Sequence, residues 1–267
     1  MLICQVTDLH VCPPGRLAYG AIDTNAMAER ALAAIAALAP APQAVLITGD
    51  LVEGGLDAEY ALLLSLIRRH LTVPVYVIPG NHDARDPLRR VLGSLPGLGG
   101  GRGFIQYVVE DLPVRLVMLD TLTPGHNYGE LCAERLDFLE RSLAAAPDRP
   151  TMIAMHHPPF RSGIGFMDRD ALRDAPAFAE VLGRHRQVER IICGHVHRAV
   201  TACVAKVPAL IAPSACHHMA LALAPGAPGA FVLDPPAFAV HRWSEADGIV
   251  SHIAYVGPCP GPFPFTG

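Results

Sequence analysis

The chain has 267 residues, is 51% hydrophobic, and balances 21 Lys and Arg against 25 Asp and Glu. That length and apolar content suit one large core with at most a small appendage. A formal charge of −4 without a basic cluster argues against a surface that tracks nucleic acid.

LICQVT opens the chain as an apolar run and leads into Asp8-Leu9-His10. The loop AYGAIDTNA follows, then a helical pattern near Asp23 to Leu38, which Asp23 or Thr24 caps and Pro40 closes. AVLIT leads to Gly49-Asp50, and a second helix is predicted near Asp57 to His70. VYVIP leads to Gly80-Asn81-His82-Asp83. RLVMLD is followed by a helical pattern near Ala133 to Ala145, TMIAM by His156-His157, and a further helix is predicted near Asp174 to Arg184. RIIC ends this series at Gly194-His195-Val196-His197. Continuous apolar runs of this length suit strands covered on both faces, and their alternation with helices predicts a layered α/β domain.

Beyond His197, AVTACVAKVPALIAPSA and GAFVLDPPAFAVHRWSEADGIVSHIAYVG resemble short strands split by Pro and Gly. We read residues 1–200 as the catalytic domain and 201–267 as a small β-rich cap, an antiparallel segment packed beside or over it. The tail PCPGPFPFTG holds too many prolines for a helix or central strand. No apolar segment is long enough to span a bilayer, and Met1 leads into a strand without a basic leader or cleavage site. The cysteines (Cys4, Cys12, Cys132, Cys193, Cys203, Cys216 and Cys259) are odd in number and form no C-x-x-C pair. That usage fits reduced thiols, with Cys4 and Cys193 in the core. A cytoplasmic protein with no membrane partner is expected.

Five apolar runs thus end in Asp, His or Asn, and the crevice beyond the carboxyl ends of strands is where α/β sheets bind ligands. A single such ending is an ordinary turn or cap; five in series predict one site. The residue types suggest two metal ions clamping a displacement reaction, with a carboxylate bridging them and imidazoles and an amide oxygen completing each set of ligands. A mixed N/O set without thiolate fits Mn, Fe, Zn or Co.

The series D-x-H, G-D, G-N-H-D, H and G-H-x-H, complete and in order over about residues 1–198, resembles the calcineurin-like metallophosphoesterase superfamily. The resemblance implies an αββα four-layer sandwich and two divalent transition-metal ions. It implies that Asp8, His10 and His197 hold one ion, that Asn81, His156 and His195 hold the other, and that Asp50 bridges them. His82 would face the phosphoryl group as a hydrogen-bond donor or general acid. Asp83 either orients His82 or caps a turn. His157 would support the ligands from behind rather than bind metal.

Protein-phosphatase branches of that superfamily carry an arginine shortly after G-D and use G-N-H-E; GDLVEGG and GNHD here depart from that pattern, which disfavours a phosphomonoester. AYGAIDTNA, MHHPP, APSACHH and AYVGP resemble bacterial glycerophosphodiesterases and class III cyclic nucleotide phosphodiesterases. By that likeness His217 and Tyr19 line the substrate pocket. Asp23, His126, Asn127 and Arg161 are pocket candidates whose alternatives are a helix cap, an exposed loop and a solvent-facing cation. A metal-dependent hydrolase of small phosphodiesters is expected, on glycerophosphodiesters rather than 3′,5′-cyclic nucleotides, using water activated at the metals. An inactive metal-bound scaffold and a metal-dependent exonuclease are the alternatives; the complete ligand series disfavours the first and the acidic balance the second. Pairing through the cap, giving a dimer or higher even homo-oligomer, is expected as well.

Overall fold

The computed structural model describes residues 1–99, 101–257, 260, 261 and 263–265. Cys259 and part of the Pro-rich tail lie outside the described residues. All six apolar runs form strands. In chain order the first half contains β1 (Leu2–Val6), α1 (Thr24–Ala36), β2 (Ala44–Thr48), α2 (Asp57–His70) and β3 (Val75–Ile78). It continues with α3 (Arg85–Leu92), β4 (Tyr107–Val109), β5 (Arg115–Met118) and α4 (Ala133–Ala144). Next come β6 (Thr151–Ala154), α5 (Gly165–Asp168), α6 (Ala175–Leu182) and β7 (Val188–Cys193). The last part is β-rich: β8 (Val200–Val204), β9 (Val207–Ile211), β10 (His218–Met219), β11 (Phe231–Val232), β12 (Ala237–Ser244) and β13 (Gly248–Tyr255).

Two mixed sheets face each other. One has the order β13-β12-β1-β2-β3 and the other β4-β5-β6-β7-β9-β8. Within them β1, β2 and β3 run parallel, as do β5, β6, β7 and β9. Alternation along each strand sorts the apolar side chains into three layers. Ile3, Leu46 and Ile78 meet Leu116, Met152 and Ile192 between the sheets. Cys4, Val45 and Val77 face Leu32 of α1, Leu63 of α2 and Leu88 of α3. Val117, Ile153 and Ile191 face Leu139 of α4 and Phe178 of α6 on the far side. Each fully buried Leu or Ile of these layers contributes about 1.5–3 kcal/mol by leaving water. The arrangement is the αββα sandwich expected.

The region beyond residue 200 differs from expectation. It is not a separate cap: β8 and β9 extend the second sheet beside β7, while β12 pairs antiparallel with β1 and carries β13. The reason is in the side chains, since Val207, Ala209 and Ile211 alternate into the α4/α6 layer and Phe238 enters the α1/α2 layer. Among the strands of the described residues beyond 200, only those of the short β10–β11 ribbon lie outside both sheets. Three elements escaped the sequence reading. α3, RDPLRRVL, buries only Leu88 and Leu92, β4 is a three-residue edge strand, and α5 is a single turn. α3 is only eight residues long with Pro87 inside it, and β4 and α5 are too short to show a period.

Candidate functional site

The carboxyl ends of β1, β2 and β3 from one sheet and β6 and β7 from the other open toward the same crevice. The turns leaving them use an uncommon backbone. Asp8 (φ 54°), His10 (φ 45°), Asp50 (φ 47°), His195 (φ 71°) and His197 (φ 58°) are all left-handed, a conformation few non-glycine residues adopt, with Asp and His among those that tolerate it best. Such residues cost of order 1–3 kcal/mol each and persist only where their surroundings over-determine them. Here Asp8 N donates to Gly49 O (3.1 Å), His10 N to Asp50 O (3.0 Å), and His195 N to the Asp8 carboxylate (3.1 Å) across the sheets.

Two sets of donors result. Asp8, His10, Asp50 and His197 bring one ligand atom each within 4.8 Å of one another. His197 Nε2 lies 3.3 Å from Asp8 Oδ1 and 3.3 Å from His10 Nε2. In the second set, Asn81 Oδ1 stands 3.2 Å from His156 Nε2 and 3.0 Å from His195 Nδ1. Asp50 joins the two: its Oδ2 is 3.6 Å from His10 Nε2 and 3.4 Å from His156 Nε2. His195 and His197 face opposite sets, as their separation across one left-handed turn dictates.

The outward ring nitrogens are held by oxygen acceptors. His10 Nδ1 meets Glu53 Oε2 at 2.8 Å, His156 Nδ1 meets Thr48 O at 2.9 Å, and His197 Nδ1 meets His217 O at 3.0 Å. Each bond fixes the tautomer so that Nε2 presents a lone pair inward, an arrangement typical of imidazoles that bind metal. Glu53→Ala is therefore expected to weaken binding of the ion nearest His10 by about 10–100-fold, with Glu53→Gln intermediate. A manganese titration that resolves the two sites checks this; unchanged affinity at both would count against the role of Glu53.

The electrostatics favour cations. Burial opposes ionisation of Asp8, but His197 beside it holds the carboxyl down to about 2. Asp50 is likewise buried, yet His156, His82 and His10 keep it well below the carboxylate range. Burial and the neighbouring His156 push the His195 imidazole down to about 3. His156 goes the other way: burial disfavours its charge, but Asp50 and Asp8 raise it to about 9. Protonated imidazole thus balances two buried carboxylates that divalent ions would neutralise in its place. Two buried carboxylates, four imidazoles and one amide oxygen converge with no Lys or Arg among them, a donor set that fits such ions.

A cavity of about 180 Å³ opens onto both sets, lined among others by Tyr19, Asn127, Phe166, Met167, Asp170 and Met219. His82 stands in its wall, with its amide on Asp50 Oδ1 (2.9 Å) and its Nδ1 donating to Glu53 O (2.9 Å). Asp83 does not orient His82. Its carboxylate accepts from Gly80 N, Leu51 N and Tyr60 OH, pinning the turns after β2 and β3 together. His157 spends both ring nitrogens, on Thr121 Oγ1 (2.7 Å) and Asn127 O (3.0 Å), and packs edge-on to His156. His217 is buried behind the lining, 4.4 Å from His197 and 5.4 Å from Tyr19 between ring centroids, with neither ring nitrogen bonded.

Asp23 caps α1 by accepting from Ala26 N. His126 stacks on Tyr128 in an exposed loop, and Arg161 is exposed outside the cavity. The sequence reading missed Glu53, whose only signal is its position three residues after Asp50. It also missed Phe166, Asp170 and Met219, which no motif marks.

A family model described as calcineurin-like phosphoesterase matches residues 1–199. The chain is 37% identical over 266 residues to a protein of Arcobacter nitrofigilis named "Probable glycerophosphodiester phosphodiesterase GpdQ", covering 99% of this chain and 97% of that one. It is 36% identical over 267 residues to a "Probable cyclic nucleotide phosphodiesterase" of Rhodopseudomonas palustris, covering 97% and 94%. Among solved structures, a dimetal phosphatase from Danio rerio superposes with a TM-score of 0.67 over 96% of this chain and 99% of that one. At 14% identity that likeness speaks for the fold alone.

Proposed function

The chain belongs to the calcineurin-like phosphoesterase family, and from that premise we propose that its substrates are glycerophosphodiesters. It is a metal-dependent phosphodiester hydrolase. The observation that carries the substrate reading is the 37% identity with the Arcobacter protein over nearly the full length of both chains. The cavity supports it: about 180 Å³ is below the roughly 300–1,000 Å³ of pockets that enclose larger ligands, and it suits a small alcohol arm better than a nucleoside.

In this reading Asp8, His10 and His197 hold one divalent ion, Asn81, His156 and His195 hold the other, and Asp50 lies between them. The N/O donor set favours Mn, Fe, Zn or Co. Bound ions supply Lewis-acid polarisation of phosphoryl oxygens and a lowered pKa for water. His82 supplies the proton. Burial disfavours its charge, but Asp50 and the Glu53 carbonyl raise its pKa. With Nδ1–H engaged by Glu53 O, Nε2–H is left to donate to the departing alcohol oxygen. Tyr19, in the cavity wall, hydrogen-bonds the substrate, and His217, with no protein partner on either nitrogen, packs behind it against Tyr19 and His197.

The identity with the Rhodopseudomonas protein supports 3′,5′-cyclic nucleotides as a second reading. Comparing kcat/KM for glycerophosphoethanolamine and cyclic AMP on one manganese-loaded sample separates the two. A higher value for the glycerophosphodiester is expected; a cyclic AMP value tenfold higher, about 1.4 kcal/mol in the transition state, would reverse the choice. The exposed Leu221, Leu223 and Leu233 around the β10–β11 ribbon support association of two copies through this face. Sedimentation at micromolar concentration is expected to give a dimer or higher even assembly, and a monomer would oppose it.

A further inference from the structure

Most of the layer between the two sheets is apolar, with Ile3, Leu46 and Ile78 meeting Leu116, Met152 and Ile192. Such contacts are non-directional, so alone they do not fix how far one sheet slides along the other. The site needs that offset fixed. Asp8, His10, Asp50 and Asn81 leave the first sheet and His156, His195 and His197 the second, and each donor set draws on both.

At the crevice end of this layer stands a polar side chain, Gln5 of β1, fully buried and three residues before Asp8. Burying an amide is unfavourable unless its groups are hydrogen-bonded, and here they are. Nε2 donates to Thr48 Oγ1 (2.9 Å) and, across the sheets, to Cys193 O (2.9 Å). Thr48 is the last residue of β2 and Cys193 the last of β7. Gly49-Asp50 follow the first and Gly194-His195 the second. Thr48 also offers its carbonyl to His156 Nδ1 (2.9 Å). One amide therefore spans the sheets where the turns carrying Asp50, His195 and His197 begin.

The orientation of that amide is set from the far side. Cys193 O can only accept, so Gln5 turns its nitrogen there and its Oε1 toward His241 Nε2 (3.1 Å). Oε1 has no proton to give, so His241 carries its own on Nε2, and its Nδ1 accepts from Ser251 Oγ (2.8 Å). Burial, and after it the Arg190 guanidinium, push the His241 imidazole down to about 3, which keeps the ring neutral. His241 lies opposite Ser251 of β13 and opposite Ile3 of β1, two residues from Gln5 on the same face. We propose that Gln5 is a positioning residue for the metal centre, and that His241 holds its amide in the orientation that ties the end of β2 to the end of β7. A reversed amide would set Oε1 against the Cys193 carbonyl, two acceptors with no proton between them. By this route β12 and β13, which supply no residue to either donor set, act on both. The proposal rests on the two-metal reading and concerns the geometry of the ligands, not the choice of substrate.

Gln5→Leu keeps much of the side-chain bulk and removes the amide. Manganese binding to metal-free protein, measured by calorimetry, is expected to weaken about tenfold, the scale seen when a support behind metal ligands is lost. At saturating manganese, kcat for bis(p-nitrophenyl) phosphate is expected to fall about tenfold while KM stays within about twofold. His241→Gln, which can still donate to Oε1, is expected to match the wild type, whereas His241→Leu shares the losses of Gln5→Leu. Combining Gln5→Leu with His241→Leu should cost no more than Gln5→Leu alone, because both break one chain of bonds. Wild-type manganese affinity and kcat in Gln5→Leu would overturn the role. So would equal losses in His241→Gln and His241→Leu, which would make side-chain shape the cause. If Gln5→Leu fails to fold, the two His241 variants decide the matter by the same readouts. Wild-type protein that binds no manganese would bring down the two-metal reading, and the proposal with it.

Discussion

Asp50→Ala protein is expected to lose at least about 10³-fold in kcat/KM for bis(p-nitrophenyl) phosphate and to retain fewer than about one of the roughly two ions such sites bind. The size of the effect follows from position. Asp50 Oδ2 lies 3.6 Å from the His10 nitrogen and 3.4 Å from that of His156, so one carboxylate serves both donor sets. Its removal also takes away Oδ1, which holds the His82 amide, and so displaces the proton donor. Several kcal/mol of transition-state stabilisation depend on the ions, and each 1.36 kcal/mol is a factor of ten in rate. Metal analysis and kinetics on the same sample check the result. Near wild-type turnover with both ions retained would remove Asp50 from between the sites.

Gly80→Ala is the second large effect expected, from the smallest possible change. A Cβ at Gly80 would fall on the Asp50 side chain and backbone nitrogen, and 2.8 Å from His156 Nε2. The backbone nitrogen cannot swing aside as a side-chain terminus can, so the turn carrying Asn81 and His82 must move. A misplacement of about 1 Å in a catalytic array can cost 10²-fold in rate, and a loss of that order is expected here. Gly99→Ala, whose Cβ would meet nothing within 4 Å, serves as the matched control. Equal activity of the two variants would show that the turn after β3 tolerates displacement.

Most of this site was legible in the sequence because its ligands follow apolar runs directly. Asp8, Asp50, Asn81, His156 and His195 announce themselves by interrupting a buried strand with a polar residue, and parallel strands carry all such ends to one edge. Glu53 was not legible, because it is one acid in a polar loop and its role exists only through the His10 ring it faces. The fold was legible where pairing is between successive strands. It was misread where β12 returns to β1 across more than two hundred residues, because no local pattern encodes a partner at that distance. The prolines of this region suggest breaks between short strands, yet Pro208 lies within β9, paired with Cys203, and Pro235 and Pro236 lead from the β10–β11 ribbon into β12.

The same pairing has a consequence for how the protein is made. β1 is the third strand of a five-stranded sheet, flanked by β2 on one side and by β12 on the other. During vectorial synthesis β2 follows within some forty residues, yet the opposite edge of β1 stays unpaired until Ala237–Ser244 leave the ribosome. Every residue of the two donor sets has been translated by then. The nascent chain thus passes through a stage with all its donors present and an open strand edge, the kind of edge that templates misassembly. Long-range closure of this sort slows folding, so productive folding of the enzyme is expected to wait until β12 has been synthesised.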